Sequence, residues 1–165
     1  MNPDHIVLFK AEYSRLKTIL ARIEKDLRAH IVMLINRSGH QIACVGPAVD
    51  IDVTGLASLA AANVAATDGL ARLVGEPGFS VLHHQGSNRS IHISTLGERF
   101  SIVIVFYEPV SVGFVRWKLK RTTAALEELF KEFTSKQKGA GAAEGSGAEA
   151  APLFSDDDIE RLLGL

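Results

Sequence analysis

From Leu56 to Val74 the chain has almost no side-chain volume. Ala57, Ser58, Ala60, Ala61, Ala62, Ala65, Ala66, Gly69 and Ala71 are all small. Alanine favours a helix intrinsically, so the stretch is predicted to be helical. A surface helix carries one apolar stripe and a charged face, yet the only charges here are Asp68 and Arg72. Such a helix is expected to be covered on more than one side. Leu56, Leu59, Leu70 and Leu73 are expected to lie on the chain's own sheet. The remaining sides are shaped for close approach by another protein; a tightly packed internal helix is the alternative.

The flanking pattern supplies the rest of the fold. Phe9, Tyr13, Leu16, Leu20, Ile23 and Leu27 recur at steps of four and three, which predicts an amphipathic helix over 9–27. Ile31–Ile35 reads as a strand, the residues Asn36-Arg-Ser-Gly39 as a turn, and His40–Val45 as its hairpin partner. Asp52 or Thr54 can cap the small-residue helix, and Gly75-Glu-Pro-Gly78 ends it. Three strands follow, near Ser80–Gln85, Ser90–Thr95 and Phe100–Phe106, joined by tight turns at 87–89 and 96–98. Ser111 opens a last helix to about Phe133, striped by Val115, Leu119, Thr122, Leu126, Leu129 and Phe133. The order predicts an α+β fold, a five-stranded antiparallel sheet with helices on both faces. The first and last helices share one face and the small-residue helix covers the other. The expected divisions are a domain over 1–134, a Gly/Ala/Ser/Glu linker over 135–152, and an acidic amphipathic helix over 153–165.

The 165 residues suit one domain with an appendage. The single cysteine, Cys44, permits neither an internal disulfide nor a cysteine metal cage, which suits a reducing cytoplasm. The first residues lack the basic start of a signal peptide, and no apolar run is long enough for a membrane span. A net charge of −1 argues against nucleic-acid binding. Charge is unevenly placed: residues 139–165 carry −5 and the remainder +4. An acidic tail on a basic body suggests a tail that touches something.

Catalytic chemistry is sparse. No G-x-x-x-x-G-K-[ST] loop exists, so the chain is not expected to bind GTP, and no cofactor or metal is expected. His83 and His84 are adjacent on a strand and point to opposite faces, so His92 can join only one of them. No cysteine or nearby carboxylate completes a site there. Cys44 reads as a small core residue. Arg116, Lys118, Lys120 and Arg121 give the last helix a basic start, mildly unfavourable at that end of the dipole. A solvated face and an acidic contact are the two readings.

The pieces Leu56-Ala-Ser-Leu-Ala-Ala-Ala-Asn-Val-Ala-Ala66, Leu70-Ala-Arg-Leu-Val-Gly-Glu76, His84-Gln-Gly86, Gly113-Phe-Val-Arg116 and Lys120-Arg121, with the tail Ser155-Asp-Asp-Asp-Ile-Glu160, carry a resemblance. The chain resembles the Roadblock/dynein-light-chain superfamily, and within it the bacterial partners of a small Ras-like GTPase that sets cell polarity. The resemblance implies a cytoplasmic homodimer that accelerates the partner's GTP hydrolysis. It implies a platform made by the small-residue helix of both protomers. It also implies that no arginine finger is supplied and that the partner's own catalytic residues are repositioned. Partner contacts then fall to Asn63, Ala66, Thr67, Leu70, Ala71 and Arg72, and dimer contacts to Ala61 and Ala65. Arg72 takes an orienting role. Trp117 stands where an aliphatic is common and Asp68 where a small residue is common. A scaffold subunit without GTPase activation and a small metal-dependent enzyme using the histidines are the competing readings.

In the tail, Ser155 and Asp158 form a capping-box arrangement, and Phe154 and Ile159 are spaced as its hydrophobic staple. Ile159, Leu162 and Leu163 share a face. So short a helix does not persist alone in water. Phe154, Ile159, Leu162 and Leu163 are therefore expected to fold onto a target, the GTPase first and the chain's own basic body second.

Overall fold

The computed structural model describes residues 10–107 and 110–140, the side chains of 123 and 131–140 aside. The elements run α1 (Lys10–Leu27), β1 (Ala29–Asn36), β2 (Gln41–Val45), α2 (Val53–Leu73), β3 (Val81–Gln85), β4 (Arg89–Leu96), β5 (Phe100–Tyr107) and α3 (Val112–Ala140). The chain divides into two compact units, Met1–Phe133 and Thr134–Leu165, and the whole sheet with α1 and α2 belongs to the first.

All strand pairings are antiparallel, in the order β2-β1-β5-β4-β3. The two central strands, β1 and β5, are buried on both faces along most of their length. Alternation of side chains along a strand then splits the core in two. Val32, Leu34, Ile102, Ile104 and Phe106 meet Leu16, Leu20, Ile23 and Leu27 of α1 and Val115, Leu119, Leu126 and Leu129 of α3. Ile31, Met33, Ile35, Ile93, Val103 and Val105 meet Ala57 and Ala60 of α2. The expected five-stranded α+β arrangement, with helices on both faces, is what the chain forms.

The helix ends follow their caps. Asp52 Oδ1 accepts the Gly55 amide at 2.9 Å, so Asp52, not Thr54, starts α2. Gly75, at φ +75°, turns the chain away beyond the Val74 cap. Ser111 Oγ accepts the Phe114 amide at 3.2 Å and opens α3 as expected.

Two local expectations are corrected. The buried stripe of α1 runs Glu12, Leu16, Leu20, Ile23, Leu27, and Tyr13 is 39% exposed. At 3.6 residues per turn Glu12 and Tyr13 flank the midline of this stripe on opposite sides, and it is the Glu12 side that is buried. The α3 helix continues past Phe133 to Ala140 and takes in the first residues of the expected linker. Phe130 also joins the α3 core contacts, its ring stacked on Phe100 at 4.3 Å, and Thr122 is half-buried. The rest of the 135–152 linker and the 153–165 helix lie outside the described residues.

Candidate functional site

The helix α2 packs on the sheet through its smallest side chains. Ala57, Ala60 and Ala71 are buried, and Ala61 and Val64 are partly buried beside them. Close approach is enforced by the β1–β2 turn. Gly39 adopts φ +80°, and a Cβ placed there would stand 2.9 Å from the Ser58 Cα, so only glycine fits on both counts. Arg37 in the same turn donates to Asp68 Oδ2 at 2.9 Å and to the Glu98 carbonyl at 3.1 Å. Asp68 is thus engaged by the chain's own turn.

With alanines inward, the leucines face out. Leu59 is 66%, Leu70 57% and Leu73 84% exposed, and Val74 follows at 67%. The expectation that Leu59, Leu70 and Leu73 lie on the sheet is therefore overturned. Leucine at the sheet contact would hold the helix off the Gly39–Ser58 contact; alanine permits it. Leu56 alone of the four packs partly against the core. The outward residues Leu59, Asn63, Ala66, Leu70 and Leu73 step by four, three, four and three, the spacing of a seam between two helices.

The expected contact residues distribute along this geometry. Asn63, Ala66, Leu70 and Arg72 are exposed, Thr67 is half-buried, and Ala65 is exposed while Ala61 is half-buried. Asn63 Nδ2 donates to the Leu59 carbonyl at 3.1 Å, and Thr67 Oγ1 to the Asn63 carbonyl at 2.8 Å. These bonds satisfy polar groups along the helix and leave the seam's apolar surface uppermost. Ala71 is 1% exposed, so its side chain is covered within the chain and not presented at the surface. The Arg72 guanidinium passes 3.9 Å from where a Cβ on Gly69 would stand, close along its own helix. Phe154, Ile159, Leu162 and Leu163 lie outside the described residues.

Sequence reasoning missed Leu59 and Leu73 as surface residues, although their four-three stepping with Leu70 was readable. It also missed a polar cluster at the rim of the same sheet face. Arg89 Nη2 donates to the Tyr107 hydroxyl at 3.2 Å and stands over its ring, and His30 meets that ring edge-on at 5.3 Å. Arg89 pairs with Tyr107 in register on the ladder, and strand alternation sets it on the side of Ile91 and Ile93.

The histidines pair as the hairpin demands. His83 stands opposite His92 in the β3–β4 register, with ring centroids 5.9 Å apart and Phe106 6.0 Å from His83. Burial pushes His92 down to about 4, with the nearby His83 and Arg116 charges acting the same way. Among the described residues no three His, Cys, Asp or Glu side chains gather to hold a metal ion. Cys44 is half-buried; burial raises its thiol, against a smaller pull from Lys17. In the basic start of α3, Lys118 Nζ pairs with Asp26 of α1 at 2.7 Å. That hydrogen bond holds the Asp26 carboxyl below its ordinary range.

The model of the Roadblock/LC7 domain matches residues 16–106. Among solved structures, Myxococcus xanthus MglB is 34% identical, with a TM-score of 0.72, covering 78% of this chain and 96% of that one. The gliding protein MglB of Thermus thermophilus is 32% identical, with a TM-score of 0.71, covering 77% and 96%. A structure described as MglB with tetrameric arrangement is similar to the same degree, at 32% identity and a TM-score of 0.71 over 77% and 96%. None of the curated proteins compared with the chain matches it.

Proposed function

Because the chain belongs to the Roadblock/LC7 domain family, we propose that it is a homodimeric, cytoplasmic regulator of a small Ras-like GTPase of the MglA type, serving bacterial cell polarity and gliding motility. It raises the partner's GTP hydrolysis by repositioning the partner's own catalytic residues. The observation that carries this reading is the outward seam of α2: a helix that spends its alanines on its own sheet and exposes Leu59, Leu70 and Leu73. Exposed apolar surface of that kind marks an interaction face. Each leucine yields roughly 1.5–3 kcal/mol on full burial.

Two copies can share the work. Among the described residues β3 has no strand on its outer side, and an open edge is a pairing site. A dimer that uses this edge and Ala61 and Ala65 leaves Asn63, Ala66, Thr67, Leu70 and Arg72, with Leu59 and Leu73, as the platform for the GTPase. Arg72 orients the partner and supplies no charge to the reacting phosphate. In the tail, Phe154, Ile159, Leu162 and Leu163 form a second, tethered contact to the GTPase, its strength set by linker length.

The test is phosphate release by an MglA-type GTPase of the same organism, titrated with the full chain. Turnover rises with the wild type, falls steeply with Leu70→Arg, and persists with Arg72→Ala. An Arg72→Ala protein that binds but no longer stimulates would make the arginine a finger, an effect worth about three to five powers of ten. Binding without any stimulation by the wild type would make the chain a scaffold.

A further inference from the structure

The layer opposite α2 carries an exposed aromatic pair that plays no part in the GTPase platform. Phe114 is 45% and Trp117 54% exposed on the first turns of α3, their rings stacked with centroids 6.0 Å apart. The Arg121 guanidinium stands 5.5 Å over the Trp117 ring. Arg116 and Lys120 are exposed on the same stretch of helix. Across the seam to α1, Arg22, Lys25 and Lys118 all surround one acid, Asp26, which Lys118 engages at 2.7 Å. Arg121 thus caps the Trp117 ring, and Arg116 and Lys120 add exposed positive charge on the same turns of α3.

Nothing about folding calls for this arrangement. Val115 and Leu119 already fill the core beneath, and positive charge near a helix N-terminus is unfavourable. Tryptophan with basic neighbours is the composition of surfaces that rest at a lipid–water boundary, where the ring sits at headgroup level and the cations meet lipid phosphates. No helix among the described residues is long and apolar enough to cross a membrane, so such a contact would be peripheral. The sign of the charge selects the lipid.

We propose that Phe114, Trp117 and the cations Arg116, Lys120 and Arg121 dock the protein on an anionic membrane surface. The site lies on the opposite face of the sheet from α2, so the α2 seam stays open while the lipid is engaged. Lipid docking of this kind is independent of the GTPase reading.

Trp117 is the only tryptophan of the chain, so it reports on its own burial. The full chain is sedimented with vesicles of phosphatidylcholine alone and with about one third phosphatidylglycerol, the second composition supplying the negative surface potential. Co-sedimentation and a blue-shifted Trp117 emission are expected only with the anionic vesicles. Both should be lost near 1 M salt, where the Debye length falls to about 3 Å. Phe114→Ala with Trp117→Ala should weaken sedimentation about tenfold, as should Arg116→Glu with Lys120→Glu, since apolar burial and charge act together. Thermal melting checks that both variants fold. Equal binding to neutral vesicles, no binding to anionic ones, or undiminished binding by the folded variants overturns the proposal. A Trp117 shift produced by an acidic protein and not by anionic vesicles would reassign the patch to a protein interface.

Discussion

The two helical layers of this molecule solve the same packing problem in opposite ways. The α1/α3 layer turns its leucines inward, and Leu16, Leu20, Leu126 and Leu129 are all buried. The α2 layer turns alanines inward and leaves Leu59, Leu70 and Leu73 in water. One layer puts its apolar volume into the fold, and the other leaves it at the surface. Leucine content alone therefore does not locate a core; the size of the residues at the sheet contact does.

The sharpest way to break this contrast is to truncate one leucine from each layer. Leu20→Ala should cost about 2–5 kcal/mol in denaturant unfolding. Leu70→Ala should change the fold of a single copy by at most about 0.5 kcal/mol, with any larger loss varying with protein concentration. Equal, concentration-independent losses would erase the distinction.

The next effect lies on the α1/α3 side, at His92. Its folded pKa of about 4 lies below the ordinary 6.5. The unfolded chain therefore binds more protons between these values. His92 contributes stability that is fully present above about pH 6.5 and lost as pH falls towards 4, in total up to about 3 kcal/mol. Melting curves across that window should show the loss, and His92→Phe should flatten it. A profile unchanged by the substitution would place the acid sensitivity elsewhere.

Smaller changes probe how tightly α2 sits. Ala57→Leu should cost about 1–3 kcal/mol, because a larger side chain must lift the helix from the sheet. A neutral result in thermal melting would mean the contact is looser than the Gly39–Ser58 approach implies. Asp52→Ala should cost about 1 kcal/mol through the lost cap, read as a small shift in the same melt.

Much of the fold was legible because its signals are periodic. The four-three steps of Leu16, Leu20, Ile23 and Leu27, and the apolar runs of β1 and β5, need no tertiary knowledge. The orientation of α2 was not legible in that way. An alanine-rich helix has little contrast between its faces, and the default of leucine-inward fails when a neighbouring turn comes as close as Gly39 comes to Ser58. Glu12 was missed because a charged residue at a stripe position reads as surface. Among the candidate contacts, Asn63, Ala66, Leu70 and Arg72 are exposed, whereas Ala71 is buried. The aromatic pair at Phe114 and Trp117 was visible as sequence, yet its exposure depends on Val115 and Leu119 taking the inward positions.

Arg37 joins three segments far apart in the chain: its own turn, Asp68 on α2, and the carbonyl of Glu98 between β4 and β5. Its pairing with Asp68 is substantially exposed, at 58% and 31%, so it adds little to folding. What it supplies is a polar tie between α2, the β1–β2 turn and the β4–β5 connection. Such a clamp is sensitive to dissolved ions in a way the alanine contact beneath it is not. Raising salt should therefore leave the melting temperature nearly still while loosening this one polar tie between turn and helix.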